Sequence, residues 1–216
     1  MIFGGFISYD IFNAGNLKQR HIYFVIELSL VESSQLLEAL RPHLAKEQKL
    51  EEGTLSAVLV IIHFLNGRPH ILLTKRSNTL KNHAGEISCP GGTYLDSDKD
   101  LMHTAIRETR EEIGIRIDER DVVGCLRGVH TLTSNFTIVP YIAIIDKIKT
   151  PKPNINEIDE VIDVPLIELL KTVERDLDHA SFGEVYKFVY DDNIVWGATA
   201  RILKQIYDIL HKSGMV

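Results

Sequence analysis

The sequence predicts an α/β or α+β fold built on a mixed β-sheet. Three observations carry this reading. Apolar β-rich runs alternate with amphipathic helical segments along the chain. Two of the apolar runs, 57–65 and 70–74, flank the turn Asn66-Gly67-Arg68-Pro69 and so predict a hairpin. A strongly periodic helix follows over 100–112, with Ala105, Ile106, Thr109 and Ile113 as its inner stripe and Gly114 as its terminator.

The remaining elements follow in order. Residues 1–31 mix aromatics with glycines and read as a strand or a docking arm. Residues 32–46 carry Leu36, Leu37 and Leu40 at helical spacing, and Pro42 bends or ends that helix early. Residues 46–53 are a charged connector, and 75–99 read as loop apart from a short apolar piece at Ile87. Strands are expected over 122–132 and 136–145, the second at an edge or carrying a bulge because of Pro140. A loop over 147–156 leads to a strand over 157–164 and a short helix over 165–171 with Pro165 early in it. A strand over 185–190 precedes a last helix over 197–210, with Ala198, Ile202, Ile206 and Leu210 on one face. Residues 1–50 are set apart as an N-terminal arm and helix of unknown role, and 51–216 as the main domain.

Composition narrows the class. A chain of 216 residues fits one decorated domain, and 44% hydrophobic residues suffice for a sizeable core. A formal charge of −6 argues against a protein that coats DNA. Two cysteines, Cys89 and Cys125, are too few for a disulfide framework and read as reduced thiols. The run 22–31 contains Glu27 and is too short to span a bilayer, and the first ten residues carry no basic segment. A soluble, cytoplasmic protein with no membrane or DNA partner is expected, with homodimerisation through the N-terminal arm as an option.

The chemistry concentrates at Arg107-Glu108-Thr109-Arg110-Glu111-Glu112-Ile113-Gly114. On a helix, Glu108, Glu111 and Glu112 project from one face within about one turn. Their mutual repulsion calls for positive charge. Arg107, four residues before Glu111, supplies part of it, and a hard divalent cation would supply the rest. An Arg/Glu-rich helix alone is an ordinary solvated face. The backbone of Pro90-Gly91-Gly92 just upstream, able to approach a ligand closely, changes that reading.

The stretch from Gly92 to Ile115 resembles the box of the Nudix family, G-x5-E-x7-R-E-U-x-E-E-x-G-U. Arg107, Glu108, Glu111, Glu112, Gly114 and Ile115 match it. Asp98 stands where the first Glu belongs, the gap from Gly92 to Arg107 is one residue longer, and Thr109 fills the hydrophobic slot. A second stretch resembles the signature of the coenzyme A pyrophosphatase branch, L-L-T-x-R-[SA]-x3-R-x3-G-x3-F-P-G-G. Leu72, Leu73, Thr74, Arg76, Ser77, Gly85, Pro90, Gly91 and Gly92 match, with Lys81 for the Arg and Cys89 for the Phe. Residues 194–200, IVWGATA, are similar to the start of that branch's last helix, with one residue added.

The resemblance implies a Nudix-like α/β/α sandwich and Mg2+- or Mn2+-dependent hydrolysis of a nucleoside diphosphate linked to another group. The substrate it favours is coenzyme A or an acyl-CoA, giving 3′,5′-ADP and 4′-phosphopantetheine or its acylated form. Glu108 and Glu112 would hold the metal, with Glu111 as a further ligand or an aid to water deprotonation, and Arg107 would orient the carboxylates. Arg76, Lys81, Gly91 and Gly92 would bind the substrate. A Glu from the later region, Glu157 or Glu160, is an alternative base. His83 and His103 are weaker candidates, a thiol role for Cys89 is not needed, and Trp196 reads as core or interface wall. ADP-ribose, a dinucleotide or a nucleoside triphosphate are the alternative substrates, and a non-catalytic Nudix-fold ligand sensor is the alternative class.

Overall fold

The computed structural model describes residues 32–48, 53–131, 135–179, 181 and 185–216. The strand or docking arm expected over 1–31 lies outside the described residues. Strand β1 (Thr54–Leu65) is the centre of the main sheet. It pairs antiparallel with β2 (Arg68–Arg76) and parallel with β7 (Phe136–Ile145) over a long register, from Thr54 opposite Phe136 to His63 opposite Ile145. The hairpin turn is Asn66-Gly67, both at positive φ (53° and 75°), the conformation an Asn-Gly pair adopts at little cost.

The mixed sheet runs in the order β3 (Ile87–Ser88), β2, β1, β7, β5 (Val122–Cys125). Strand β4 (Gly91–Thr93) adds to β1, β6 (Val129–His130) to β7, and β8 (Ile158–Pro165) to β2. Strands β9 (Glu174–Arg175), β10 (Tyr186–Tyr190) and β11 (Asn193–Val195) form a small second sheet.

The run AVLVIIHFL has no polar alternation because both of its faces are covered. Ala57, Leu59 and Ile61 face Ala105 and Ile113 of helix α2 (Leu101–Ile113). Val58, Val60 and Ile62 face Ile202, Leu203 and Ile206 of the last helix, α4 (Gly197–Lys212). The result is an α/β/α sandwich with one apolar cluster on each side of the sheet. Helix α1 (Ser33–Leu40) ends in a 3-10 turn at Arg41–His43, where Pro42 falls, and buries Leu36 and Leu40 in the α4-side cluster. Pro165 caps the short helix α3 (Leu166–Lys171), which adds Leu166, Leu169 and Leu170 to the same cluster. No helix among the described residues is long and apolar enough to cross a membrane.

Three expectations are corrected. Pro140 is not on an edge strand: β7 lies between β1 and the β5/β6 side. Its missing N–H is tolerated because β5 ends at Cys125, opposite Tyr141, and β6 resumes at Val129, opposite Ile138. The expected strand over 122–132 is therefore two strands. In the gap, the Gln48 amide donates to the Leu126 carbonyl and accepts from Gly128 N–H, both at 2.8 Å, so the unpaired backbone remains satisfied. Finally, 75–99 is not all loop: the glycine pair itself forms β4 against β1, which brings it beside α2.

Candidate active site

Helix α2 starts where the Asp100 carboxylate accepts from His103 N–H at 2.9 Å, and stops at Gly114, whose φ of 69° a side chain would resist. Thr104, Ala105, Thr109 and Ile113 turn inwards, which leaves Arg107, Glu108 and Glu111 on the outer side and Glu112 at the boundary with β4. Thr109 fills its hydrophobic slot by donating its hydroxyl to the Ala105 carbonyl at 2.7 Å.

The two glycines have separate roles. Gly91 N–H donates to Glu112 Oε2 at 3.0 Å. Gly92 lies against the Glu108 carboxyl, where an added Cβ would sit 2.5 Å from Cδ. Gly92→Ala must therefore displace that carboxylate. It is expected to cut metal-dependent turnover by at least about tenfold with a small change in melting temperature. Parallel kinetics and thermal unfolding check this, and unchanged turnover would refute the tight fit.

Arg107 braces the cluster. Its Nε and Nη2 donate to Asp98 Oδ1 and Oδ2 at 2.8 and 2.9 Å, and Nη2 also reaches the Thr93 carbonyl at 3.2 Å. Nη1 is shared between Glu108 Oε1 at 2.8 Å and Glu111 Oε2 at 3.0 Å. The Asp98 carboxyl is 6% exposed and also accepts from Thr104 Oγ1 and Leu95 N–H. The Arg107 hydrogen bonds hold it far below the usual carboxylate range, and Arg107 is in turn pushed up by Asp98. The aspartate in the first-Glu position is thus the far anchor of the arginine.

The crowding and burial of the glutamates disfavour their charged forms. Burial raises Glu108, with Glu111 and Glu157 adding to the rise while Arg107 opposes it. Burial pushes Glu112 up to about 7, against the Gly91 hydrogen bond and the charge of Arg76, with Glu108 and Glu157 adding to the rise. Crowded carboxylates, with Gly91 and Arg107 occupying only some of their oxygens, are a hard-cation donor set, and they fit Mg2+ or Mn2+.

Glu157 is brought in by the expected loop over 147–156, which docks on the end of α2. Lys152 N–H donates to the Ile113 carbonyl and Asn154 N–H to the Glu112 carbonyl, both at 2.8 Å, so this segment closes the end of α2. Glu157 follows three residues later, held by Ser77 N–H on its own carbonyl. No local pattern announces it. Glu160 is exposed and pairs with Lys75 across β2–β8.

Beside the carboxylates opens a cavity of about 490 Å3. Arg76, Gly91 and Gly92 line it. Arg76 Nη1 stands 3.9 Å from Glu112 Oε1, and its buried Nε has no hydrogen-bond partner. Lys81 is exposed and is not among the lining residues. Cys89 lines the cavity as a buried thiol that desolvation pushes up to about 12, which makes it a poor nucleophile. His83 also lines it, bonded to Glu86, whereas His103 is tied between Asp100 and Glu119.

Of the two readings of Trp196, core or interface wall, the core one is corrected: Trp196 lines the cavity, is 36% exposed and stacks on His179, with ring centroids 4.6 Å apart and planes 7° from parallel. His179 is held by Asp176 at 2.7 Å, and that carboxylate is 2% exposed. Sequence reasoning missed Asp176 and His179, whose only signal was a D-x-x-H spacing.

Comparison with known proteins agrees with this architecture. The model of the NUDIX domain matches residues 54–184. The mitochondrial coenzyme A diphosphatase NUDT8 of Homo sapiens is 37% identical over 163 residues, covering 72% of this chain and 69% of that protein. Its Mus musculus counterpart is 36% identical, covering 72% of this chain and 77% of that protein. Among solved structures, a MutT/nudix family protein from Enterococcus faecalis shares the fold at a TM-score of 0.55 and 14% identity, covering 93% of this chain and 76% of that one. The carboxylate helix braced against a glycine strand, the sandwich around it and these matches all agree: the chain belongs to the Nudix hydrolase family.

Proposed function

We propose that this protein hydrolyses the diphosphate of coenzyme A or an acyl-CoA in a reaction dependent on Mg2+ or Mn2+, releasing 3′,5′-ADP and the corresponding 4′-phosphopantetheine. The observation that carries the reading is Arg76. A guanidinium with a buried, unpartnered Nε stands 3.9 Å from Glu112, in the wall of the cavity beside the carboxylates. A buried donor without a protein partner is open to a ligand, and an arginine fork suits phosphate oxygens. The similarity to the NUDT8 proteins, whose names specify coenzyme A diphosphatase activity, supports coenzyme A as the substrate.

In this reading, Glu108 and Glu112 hold the metal and Glu111 adds a ligand. A divalent cation there supplies Lewis-acid polarisation of the diphosphate and neutralises the charge that develops on it. Arg107 keeps two of the carboxylates in register from the side of the helix, and Gly91 N–H fixes the third. Arg76 orients the diphosphate, so that positioning and electrostatics do most of the chemistry. Glu111 and Glu157 are the carboxylates proposed to take the proton of the attacking water, and Glu111→Gln and Glu157→Gln compared across pH identify which one does. The apolar wall of Val58, Ile87, Phe136 and Ile138, with the Trp196–His179 stack, suits a ligand that is both nucleotide and thioalkyl amide.

The test is a substrate panel of coenzyme A, acetyl-CoA, ADP-ribose, diadenosine tetraphosphate and a nucleoside triphosphate, each with and without Mg2+, read by mass spectrometry. Loss of coenzyme A with appearance of 3′,5′-ADP is expected, with the highest kcat/KM on a CoA species. Preferential cleavage of ADP-ribose or a dinucleotide would overturn the substrate, and tight binding without turnover would point to a sensor. Trp196→Ala is expected to raise KM for coenzyme A by about tenfold with kcat nearly unchanged, because the ring contributes binding area and no chemistry.

A further inference from the structure

Nine scattered histidines give no metal-binding spacing along the chain, yet the sheet gathers two of them with a carboxylate. His63 of β1 is the cross-strand partner of His70 of β2, and Asp163 of β8 pairs with Leu72, one same-face step from His70. By the pleat, all three share the face of Ile61, Leu72 and Val161, the side covered by α2. His63 Nε2 lies 2.9 Å, and His70 Nδ1 3.0 Å, from the same oxygen, Asp163 Oδ1. The histidine side chains are 5% and 11% exposed, whereas Asp163 is 41% exposed. On β1, His63 is five residues beyond Val58, the residue opposite Gly91, and so stands roughly 16 Å along the strand from the glycine pair.

We infer that His63, His70 and Asp163 form a second metal site, separate from the glutamate cluster, for a late first-row divalent cation such as Zn2+. Three donor atoms lie within 4.8 Å of one another. Tetrahedral coordination at ordinary Zn–N and Zn–O lengths needs donor separations of about 3.3 Å, so the two N···O contacts at 2.9 and 3.0 Å need to open by a few tenths of an ångström while the two ring nitrogens, within 4.8 Å of each other, draw to that separation. Two imidazoles and one carboxylate are the donor set of zinc and its neighbours, and not of Mg2+, which takes oxygen. The donors sit on three paired strands, so the site is rigid before binding. The exposed side of Asp163 is the entry path and leaves room for water to complete the coordination. On binding, His63 Nε2 and His70 Nδ1 would exchange their contacts with Asp163 Oδ1 for bonds to the ion. The ion would pin β8 to the β1–β2 hairpin.

The test uses the full chain carrying Glu108→Gln and Glu112→Gln, stripped with EDTA and desalted, so that the glutamate cluster no longer competes. Zn2+ is titrated against a chromophoric chelator, and Co2+ binding is followed by its visible absorption. One equivalent of Zn2+ and a low-coordinate Co2+ spectrum are expected, together with a raised melting temperature. Adding His70→Gln or Asp163→Asn should each weaken Zn2+ binding at least about a hundredfold and abolish the Co2+ bands. Asp163→Asn is nearly isosteric and half-exposed, so circular dichroism separates loss of the site from loss of fold. Absence of stoichiometric Zn2+ binding in the Glu108→Gln/Glu112→Gln chain, or binding that neither added variant weakens, would overturn the inference and leave the three residues as a hydrogen-bonded strand clamp.

Discussion

Glu112→Gln is expected to lower turnover of a diphosphate substrate with Mg2+ by roughly a thousandfold while leaving the fold intact. The substitution keeps the side-chain length but removes the charge of the most buried carboxylate of the cluster, whose side chain is 6% exposed and which is proposed to hold the metal. It also spares the metal-free protein a cost. Burial lifts this carboxyl from 4.5 to about 7, so the metal-free fold prefers the protonated form. The stability gained from that protonated form is complete below about pH 4.5 and is lost as pH rises through 7. Thermal unfolding without metal should therefore show the wild type losing stability relative to Glu112→Gln across that window, by up to about 3 kcal/mol. Mg2+ should reverse the order at neutral pH, because only the carboxylate gains from the ion. Near wild-type turnover in a folded Glu112→Gln protein would remove Glu112 from the site, and parallel melting curves across the window would show that its burial carries no such cost.

Arg107→Lys is the second large effect. Lysine keeps the charge but cannot span Asp98, Thr93, Glu108 and Glu111 at once, as the guanidinium does. Turnover should fall about a hundredfold, and stability by about 2–3 kcal/mol, since the buried Asp98 carboxylate loses a paired fork. Asp98→Asn should lose much of the same stability, and the double variant less than the sum of the two, because both act through one bridge. Denaturant melts of the two single variants and the double measure the coupling. Strict additivity, or unchanged turnover in Arg107→Lys, would show that the brace does not position the carboxylates.

Much of the fold was legible because its signals are local. The double-faced apolar run of β1, the Asn66-Gly67 turn and the Asp100–Gly114 boundaries of α2 follow from residue types a few positions apart. The failures were failures of context. Pro140 suggests an edge when read alone, but it is accommodated inside the sheet because the neighbouring strand is interrupted beside it. The glycine pair falls within the expected loop over 75–99, yet its lack of side chains is what lets β4 lie against both β1 and the glutamates. Trp196 reads from its apolar bulk as core or interface wall, whereas its position at the start of α4 turns one face to the cavity and to His179.

The sequence alone determined the glutamate face, the arginine on its flank and the glycines that approach it, since helix pitch and a short spacing bring those residues together in any fold that keeps the helix. Only the tertiary structure decided that Glu157 joins the cluster, that Asp176, His179 and Trp196 share the cavity wall, and that His63 meets Asp163 across one hundred residues of chain. Those meetings depend on strand order and on where loops dock. Hydrophobic periodicity says which face of an element is buried and leaves open which other element will cover it.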